Sequence, residues 1–398
     1  MKRWKQGFTL LLVCVSYGLV SLYGAYVALS KSETGLRRYP GSQVPRDRTL
    51  NVDSHQEQCE FAIWDTCGLG IYLWRNILHG EITQYNLNNG WIQSSLKTDN
   101  FSIKYNLGYG LTPDYALTPS HPNIVLVVNA RDTNLIPNAK LWVDHVLKSA
   151  YIEKVAIILL GSETCDNDWL QPYLQQSRIK CVFMVYDSTL VDDELVFQWP
   201  LGVASYRNFQ NFNEEFLDLS AQRPYVFNFI GTVYDGSSRV SMMNTVYQHI
   251  KNQTKKYIKT RENWVPEEDS ESMTNYQHVL LASDLTLSPA GRNSECYRTY
   301  EAMELGSIPV IEDVVSEGTC DYNENKNYSS PYRLLKKYGA PVIFVKNWEN
   351  ELPNIVQEFQ EMTHRAKVRS RINLIRWYVD FKKAMRDKFL HIVSSRFC

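Results

Sequence analysis

Apolar runs alternate with segments of helical apolar spacing along most of the chain, and this alternation predicts the fold class. Continuous apolar runs are typical of strands buried on both faces of a parallel sheet. The predicted strands are 123–129, 155–161, 181–187, 225–230, 284–288, 308–311 and 342–345. Alternating strands and helices indicate right-handed crossovers. Two such runs in tandem predict an α/β protein with two doubly wound, Rossmann-like domains facing a cleft.

A long uncharged apolar run near the start of the chain predicts a single N-terminal transmembrane helix over residues 8–29. Such a run is long enough to cross the roughly 30 Å hydrocarbon core of a bilayer. The alternative is a cleaved signal peptide, whose apolar region is typically about 7–15 residues long and ends at a small-residue cleavage site. This run is longer and has no clear cleavage site, which favours an anchor.

Three Asn-x-Ser/Thr acceptor patterns, at Asn100, Asn252 and Asn327, favour a lumenal location for everything after the anchor. We therefore expect a single-pass type II topology. The predicted parts are a cytoplasmic tail 1–7, the anchor 8–29, a stem 30–58, a first Rossmann-like acceptor domain 59–221, a second Rossmann-like donor domain 222–348, and a C-terminal helical segment 349–398, in which residues 349–389 read as one helix. Residues 197–203 are interpreted as a linker between the two domains.

Charge changes this picture only at the end of the chain. The 42 Lys and Arg residues and 43 Asp and Glu residues give a net charge of −1, which argues against a nucleic-acid partner. Residues 365–396, however, contain ten basic residues and two acidic ones. Two interpretations stay open: a solvated helical face, or a surface that attracts an anionic acceptor.

The segment 283–313 is the strongest candidate for chemistry, since it reads as strand, glycine-containing loop, helix, glycine and strand. Ser294 is a suitable residue to cap the start of the helix and Gly306 to end it. The start of such a helix favours an anion. Arg298 and Glu301 lie three residues apart, so they share one helical face. A guanidinium can bind phosphate oxygens, and a carboxylate can accept hydrogen bonds from ribose hydroxyls.

This segment resembles the signature of exostosin-type glycosyltransferases, a family of Golgi membrane enzymes with two Rossmann-like domains (GT-B type). The matching residues are 283–284, Gly291, Arg298, 301–302, Gly306 and 308–310, and the start of the family's donor domain is similar to 223–225, 229–231 and Arg239. The resemblance implies binding of a UDP-sugar. The donor-binding residues that we predict are Gly231, Arg239, Gly291, Ser294, Tyr297, Arg298 and Glu301.

Residues 70–74, 197–209 and 295–298 are more similar to a xylosyltransferase branch of these type II Golgi proteins. That resemblance implies transfer of xylose from UDP-xylose to ribitol 5-phosphate, with inversion to a β-linkage, on the O-mannosyl glycan of α-dystroglycan. It also implies other Golgi glycosyltransferases of the same pathway as partners. The alternatives are another UDP-sugar with a heparan-type acceptor, or a non-catalytic lectin-like Golgi subunit.

Inversion needs a carboxylate that deprotonates the acceptor hydroxyl. Asp132 and Asp187 each follow a predicted strand of the first domain, and both are candidates. Asp166-Asn167-Asp168 matches the D-x-D pattern by which single-Rossmann (GT-A) transferases hold a divalent cation, but it lies far along the chain from the donor segment. We therefore expect no metal and no other cofactor. Cys165 with Cys181, and Cys296 with Cys320, are candidate disulfides.

Overall fold

The computed structural model describes residues 58–82, 84–85, 91–113, 121–210, 212, 214–263, 269–315 and 332–398. The predicted tail, the anchor, Asn327 and all of the predicted stem except its last residue lie outside these ranges. Within them, no helix has both the length and the apolar character that crossing a bilayer requires.

The first sheet is built mainly from the continuous apolar runs of the first half of the chain. Its strands are β1 (Cys59–Asp65), β2 (Gln84–Tyr85), β3 (Ile92–Lys97), β4 (Phe101–Leu107), β5 (Asn123–Asn129), β6 (Lys154–Leu160), β7 (Ile179–Val185) and β8 (Val196–Trp199). Their order is β2-β3-β4-β1-β5-β6-β7-β8. All pairs from β4 to β8 are parallel, whereas β3 is antiparallel to both its neighbours. The prediction of strands at β5, β6 and β7 is confirmed.

The interpretation of residues 197–203 as a linker is wrong at its start. Residues 196–199 form β8, which pairs in parallel with β7 at the edge of the first sheet. All four residues of β8 are buried, so this short run is held by packing and by the neighbouring strand.

The second sheet is entirely parallel, as the alternating pattern predicts. Its strands are β9 (Tyr225–Thr232), β10 (Lys256–Arg261), β11 (Ser283–Ser288), β12 (Ile308–Glu312) and β13 (Ile343–Val345), in the order β10-β9-β11-β12-β13. Only β10 was not predicted. It is a polar edge strand with no fully buried residue, so it lacks the apolar run that identifies the others.

The helices are α1 (Ile136–Lys148), α2 (Gln171–Leu174), α3 (Ser238–His249), α4 (Ser270–Leu281), α5 (Tyr297–Glu304), α6 (Arg333–Lys337), α7 (Trp348–Glu361) and α8 (His364–Phe397). A π-helix spans Tyr72–Ile77, and short 3-10 turns span Asp168–Leu170, Ser205–Arg207 and Glu214–Phe216. The C-terminal helix predicted over 349–389 is two helices. Thr363 is extended and its Oγ1 accepts a hydrogen bond from the amide of Ala366, so it ends one helix and caps the next.

Helix α8 packs against both sheets and joins the ends of the folded body. In the first sheet, the ring of Phe389 lies 5.2 Å from that of Phe183 and 6.3 Å from that of Phe61. A disulfide links Cys398, just beyond α8, to Cys59 at the start of β1. The orientation of α8 is therefore fixed by aromatic packing and by a covalent bond.

Several basic residues of α8 pair with buried carboxylates. Arg371 and Lys367 contact the two carboxylate oxygens of Asp284 at 2.6 and 3.0 Å, and Lys382 lies 3.0 Å from Glu304. Neither interpretation of the basic segment included this role. These charges neutralise acids inside the protein and stabilise the packing of α8 on the second sheet.

The predicted disulfides are wrong. Cys181 and Cys296 are both free thiols, whereas Cys165 is disulfide-bonded. Cys181 is fully buried on β7, the strand next to the edge of the first sheet, and this strand fixes the direction of its side chain. Sequence spacing alone does not contain this information.

Candidate active site

The β11–α5 loop, residues 289–296, is held at the carboxyl end of the second sheet by hydrogen bonds to its backbone. The amide of Ala290 donates to Oε2 of Glu312 at 2.7 Å, and its carbonyl accepts from Nε of Arg239 at 3.1 Å. A Cβ atom on Gly291 would lie 2.9 Å from Nη2 of Arg239. The guanidinium group therefore needs a glycine at this position, and the loop has a defined shape.

Arg239 is buried below this loop. Its Nη1 donates to the carbonyl of Thr232 at 2.7 Å, so the side chain links the end of β9 to the loop. Burial, together with the nearby charge of Arg298, lowers its pKa to about 10. An anion bound close to both groups would relieve this repulsion.

Arg298 projects from the first turn of α5 onto β9. Its Nη2 donates to the carbonyl of Ile230 at 2.9 Å, and its guanidinium carbon lies 4.9 Å from the centre of the Phe229 ring. A side chain on Gly231 would collide with the guanidinium group. The four predicted donor-binding residues Gly231, Arg239, Gly291 and Arg298 come from two separate stretches of the sequence. In the structure they lie close together at the carboxyl edge of the second sheet.

Both guanidinium groups are held by backbone carbonyl oxygens, and the described residues form no salt bridge with either. Arg239 is buried and Arg298 is half-buried, and two such cations without a paired acid among the described residues are suited to an anion with several oxygens, such as a diphosphate. This is the electrostatic feature that distinguishes the edge of the second sheet.

The two ends of α5 differ in how well the sequence predicts them. Gly306 has φ of +68°, and the amides of Gly306 and Ser307 donate to the carbonyls of Met303 and Ala302, which confirms the predicted glycine end. The helix begins at Tyr297, however, three residues after Ser294. Ser294 is not its cap, because its Oγ donates to the carbonyl of Val314 at 2.6 Å.

Glu301 lies on α5 against the segment that follows β8. Its Oε1 accepts from the amide of Ala204 at 3.2 Å and its Oε2 from the hydroxyl of Tyr276 at 2.7 Å. Burial raises its pKa, while those hydrogen bonds act in the opposite direction. Tyr297, at the start of the helix, packs edge to face on Tyr206 with ring centres 5.8 Å apart. Both residues line the side of the loop that faces the first sheet.

Three carboxylates follow three adjacent parallel strands at the facing edge of the first sheet: Asp132 after β5, Glu163 after β6 and Asp187 after β7. Parallel strands end at the same edge, so these residues belong to one side of the site. The edges of the two sheets touch here, since Arg292 lies 3.6 Å from Asp132 and Nδ2 of Asn293 donates to the carbonyl of Glu163 at 3.2 Å.

The two carboxylates that the sequence singled out have different surroundings. Asp187 is buried, and Arg333 lies 2.9 Å from its Oδ1. The side chain of Asp132 is 34% exposed, and its Oδ1 accepts two hydrogen bonds from Asn134. Glu163 and Arg333 were missed. The rule that found the two aspartates, a charged residue just after an apolar strand, also applies to Glu163.

A further buried carboxylate, that of Glu295, was missed as well. Its Oε1 accepts hydrogen bonds from the amide of Leu201, at 3.1 Å, and from the hydroxyl of Tyr300. Burial, with a smaller contribution from the neighbouring charge of Asp187, raises its pKa to about 7 against the opposing effect of these hydrogen bonds. No pattern in the sequence separates Glu295 from an ordinary exposed glutamate, because its burial depends on contact with the segment after β8.

The D-x-D sequence and the acceptor asparagines lie outside this site. Asp166 and Asp168 are exposed, and the described ranges contain no group of three His, Cys, Asp or Glu side chains that could hold a metal ion. Asn100 and Asn252 are exposed, as a glycosylation acceptor must be.

Two protein-family models match the chain: "RXYLT1 N-terminal domain" over residues 61–200 and "RXYLT1 C-terminal domain" over residues 206–398. Ribitol-5-phosphate xylosyltransferase 1 of Homo sapiens is 38% identical over 340 residues, which are 84% of this chain and 76% of the human protein. The Mus musculus protein of the same name is 38% identical over 372 residues, 92% of this chain and 82% of the mouse protein.

Among solved structures, the chain is similar to "OtsA apo structure", with a TM-score of 0.45, 8% identity and coverage of 84% of this chain and 98% of that one. It is also similar to an "alpha-glucosyltransferase in complex with UDP-glucose and DNA containing an abasic site", with a TM-score of 0.44, 11% identity and coverage of 84% and 99%.

Fold and site define an α/β protein with two largely parallel sheets, one with a basic edge and the other with an acidic edge. The family models and the relatives specify which protein of this class it is. The chain belongs to the ribitol-5-phosphate xylosyltransferase 1 family.

Proposed function

We propose that this chain is an inverting glycosyltransferase of GT-B type that moves xylose from UDP-xylose to ribitol 5-phosphate. Family membership supports the reaction, because the relatives are named for it. The observation that carries the donor half of the proposal is the pair formed by the buried Arg239 and the half-buried Arg298, which have carbonyl partners and, among the described residues, no paired acid. They suit the diphosphate of a nucleotide sugar.

The donor lies along the β11–α5 loop in this proposal. Gly231 and Gly291 leave room for the guanidinium groups beside the diphosphate. The carboxylate of Glu301 accepts hydrogen bonds from ribose hydroxyl groups, through the lone pairs that do not already accept from Ala204 and Tyr276. The remaining residues of the proposed donor site are Ser294 and Tyr297.

The chemical steps are divided between the two sheet edges. A carboxylate of the first sheet takes the proton of the acceptor hydroxyl, whose oxygen attacks the anomeric carbon of xylose from the face opposite UDP. The arginines of the second sheet stabilise the charge that develops on the departing diphosphate. The result is a β-xyloside.

The cellular setting belongs to the same proposal: a single-pass type II protein of the Golgi membrane whose lumenal part acts on the O-mannosyl glycan of α-dystroglycan, alongside other glycosyltransferases of that pathway. The exposed Asn100 and Asn252 and the disulfide between Cys59 and Cys398 support an oxidising lumenal compartment. Microscopy of the tagged full-length protein, combined with glycosidase sensitivity, tests the location.

We expect no metal requirement, since the two arginines supply the positive charge that a divalent cation supplies in other transferases. EDTA should leave the rate of xylose transfer unchanged. Loss of activity in EDTA that Mn²⁺ restores would contradict this expectation and would direct attention to Asp166 and Asp168.

Product analysis by mass spectrometry tests the reaction itself. Purified full-length protein is incubated with a panel of UDP-sugars and with either ribitol 5-phosphate or a heparan-type oligosaccharide. We expect transfer only from UDP-xylose and only to the ribitol acceptor. Transfer of another sugar to the heparan acceptor would support the other transferase, and binding of UDP-xylose without any product would support a non-catalytic subunit.

A further inference from the structure

The three carboxylates at the edge of the first sheet are not equally available to an acceptor. Asp187 is nearly fully buried, binds Arg333 at 2.9 Å and accepts a hydrogen bond from the amide of Ser188. Its charge is already balanced. A base in this state would have to break a buried ion pair before it could take a proton, which is costly.

Asp132 has a structural role in the turn that follows β5. Its Oδ1 accepts from both the amide and the side chain of Asn134, at 2.9 and 2.8 Å, and Arg292 lies 3.6 Å from its Oδ2. These contacts are typical of an aspartate that shapes the turn after a strand.

Glu163 differs from both. Its backbone is fixed on two sides, because its amide donates to the carbonyl of Arg131 at 3.0 Å and its carbonyl accepts from Asn293 of the β11–α5 loop at 3.2 Å. Its carboxylate accepts no hydrogen bond from the described residues. The residue is therefore held against the donor loop while its carboxylate oxygens remain open to an incoming hydroxyl.

The charges around Glu163 suit a base. Burial raises its pKa, the charge of Asp132 acts in the same direction, and Arg131 and Arg292 act in the opposite one. Tyr186, which directly follows β7, also lies close enough to interact with it electrostatically. A carboxylate that binds protons more readily than it would in water is a better proton acceptor than an exposed one.

We propose that Glu163 is the general base of the transfer reaction. This inference rests on the proposed function. Glu163 takes the proton from an acceptor hydroxyl, and the oxygen uses that electron pair to bond to C1 of xylose. The bond between C1 and the β-phosphate oxygen breaks, and its electron pair leaves on UDP, beside Arg239 and Arg298. The protonated carboxyl then returns its proton to water.

Glu163→Gln tests this role, because it keeps the shape of the side chain and removes its basicity. We expect kcat to fall about 10²–10⁴-fold, with unchanged affinity for UDP-xylose in calorimetry and an unchanged thermal midpoint. The matched control is Glu153→Gln, an exposed position just before the opposite end of β6, which should behave like the wild type. The variants Asp132→Asn and Asp187→Asn are measured beside them.

The dependence of kcat on pH distinguishes a catalytic role of Glu163 from a purely structural one. In the wild type, kcat should fall at low pH as Glu163 becomes protonated, and Glu163→Gln should lose that limb. Glu163→Asp, which keeps a carboxylate on a shorter side chain, should retain the limb at a reduced kcat, and it serves as the test if the glutamine variant does not fold.

Near wild-type kcat in Glu163→Gln, or a larger loss in Asp132→Asn or Asp187→Asn, would overturn the assignment and leave the proposed function in place. Absence of xylose transfer by the wild-type protein would overturn the proposed function itself. The two failures are distinguished by the wild-type assay alone.

Discussion

Two regions of the molecule hold arginines that are wholly or partly buried, and the regions differ in whether a carboxylate pairs with the arginine. Where α8 packs on the second sheet, Arg371 contacts the carboxylate of Asp284 at 2.6 Å. At the carboxyl edge of the same sheet, Arg239 and Arg298 are held by backbone carbonyls and aromatic rings, and neither forms a salt bridge with a described residue. An arginine that pairs with a buried carboxylate stabilises the fold, whereas an arginine without a paired carboxylate can bind an anionic ligand.

The largest effect is expected at the paired arginine. Arg371→Ala leaves the buried Asp284 with Lys367 alone and removes two hydrogen bonds to the carbonyls of Leu219 and Ala221. We expect a loss of about 3–5 kcal/mol in the free energy of unfolding, measured by chemical denaturation. Arg376→Ala, an exposed position on the same helix, should change stability by no more than about 0.5 kcal/mol. Equal stability of Arg371→Ala and Arg376→Ala would show that the pairing of Arg371 with Asp284 does not stabilise the fold.

The unpaired arginine should show the reverse behaviour. Arg298→Ala removes a cation whose contacts with the described part of the chain are a carbonyl, a ring and a thiol, so the protein should remain folded. The value of kcat/KM for UDP-xylose should fall about 10²–10³-fold, as for other losses of a group that stabilises developing charge. Arg369→Ala, exposed on α8, is the control. A strong loss of stability with intact turnover would make Arg298 a structural residue.

A smaller effect is expected at Glu295, a buried acid that forms no salt bridge with a cation of the described ranges. Its folded pKa of about 7 lies above its ordinary value of 4.5, so the folded state binds the proton more tightly. Its contribution to stability is therefore complete below pH 4.5 and is lost as pH rises through about 7.

Unfolding measured from pH 5 to pH 8 tests this sign. Glu295→Gln should be less sensitive to pH than the wild type, by on the order of 1–3 kcal/mol across the range. Glu358→Gln, exposed on α7, should follow the wild-type curve. Parallel curves for the wild type and Glu295→Gln would show that this carboxyl does not titrate in the range.

The sequence predicts the donor side of the site better than the acceptor side. The β11–α5 segment carries its signals locally: an apolar run, a glycine in the loop, and Gly306 where the chain needs a positive φ. The start of α5 was misplaced because Ser294 uses its hydroxyl in a contact with Val314, twenty residues away. Local propensity does not contain such a contact.

The acceptor side depends on contacts between distant residues. Strand order, which sets β5, β6 and β7 side by side, makes Glu163 a neighbour of Asp132 and Asp187. The burial of Arg371 against Asp284 joins residues 87 positions apart. A basic segment looks the same in sequence whether its charges face water or a buried acid, so its interpretation had to wait for the structure.

The bond between Cys59 and Cys398 closes a covalent ring through a sequence separation of 339 residues. A protease that cuts one peptide bond between these cysteines therefore cannot release either half of the molecule. The nicked protein should run as a single species on a non-reducing gel and as two fragments once a reductant is added. Cleavage of one surface segment would thus leave the two sheets covalently linked, so that their edges can still come into contact.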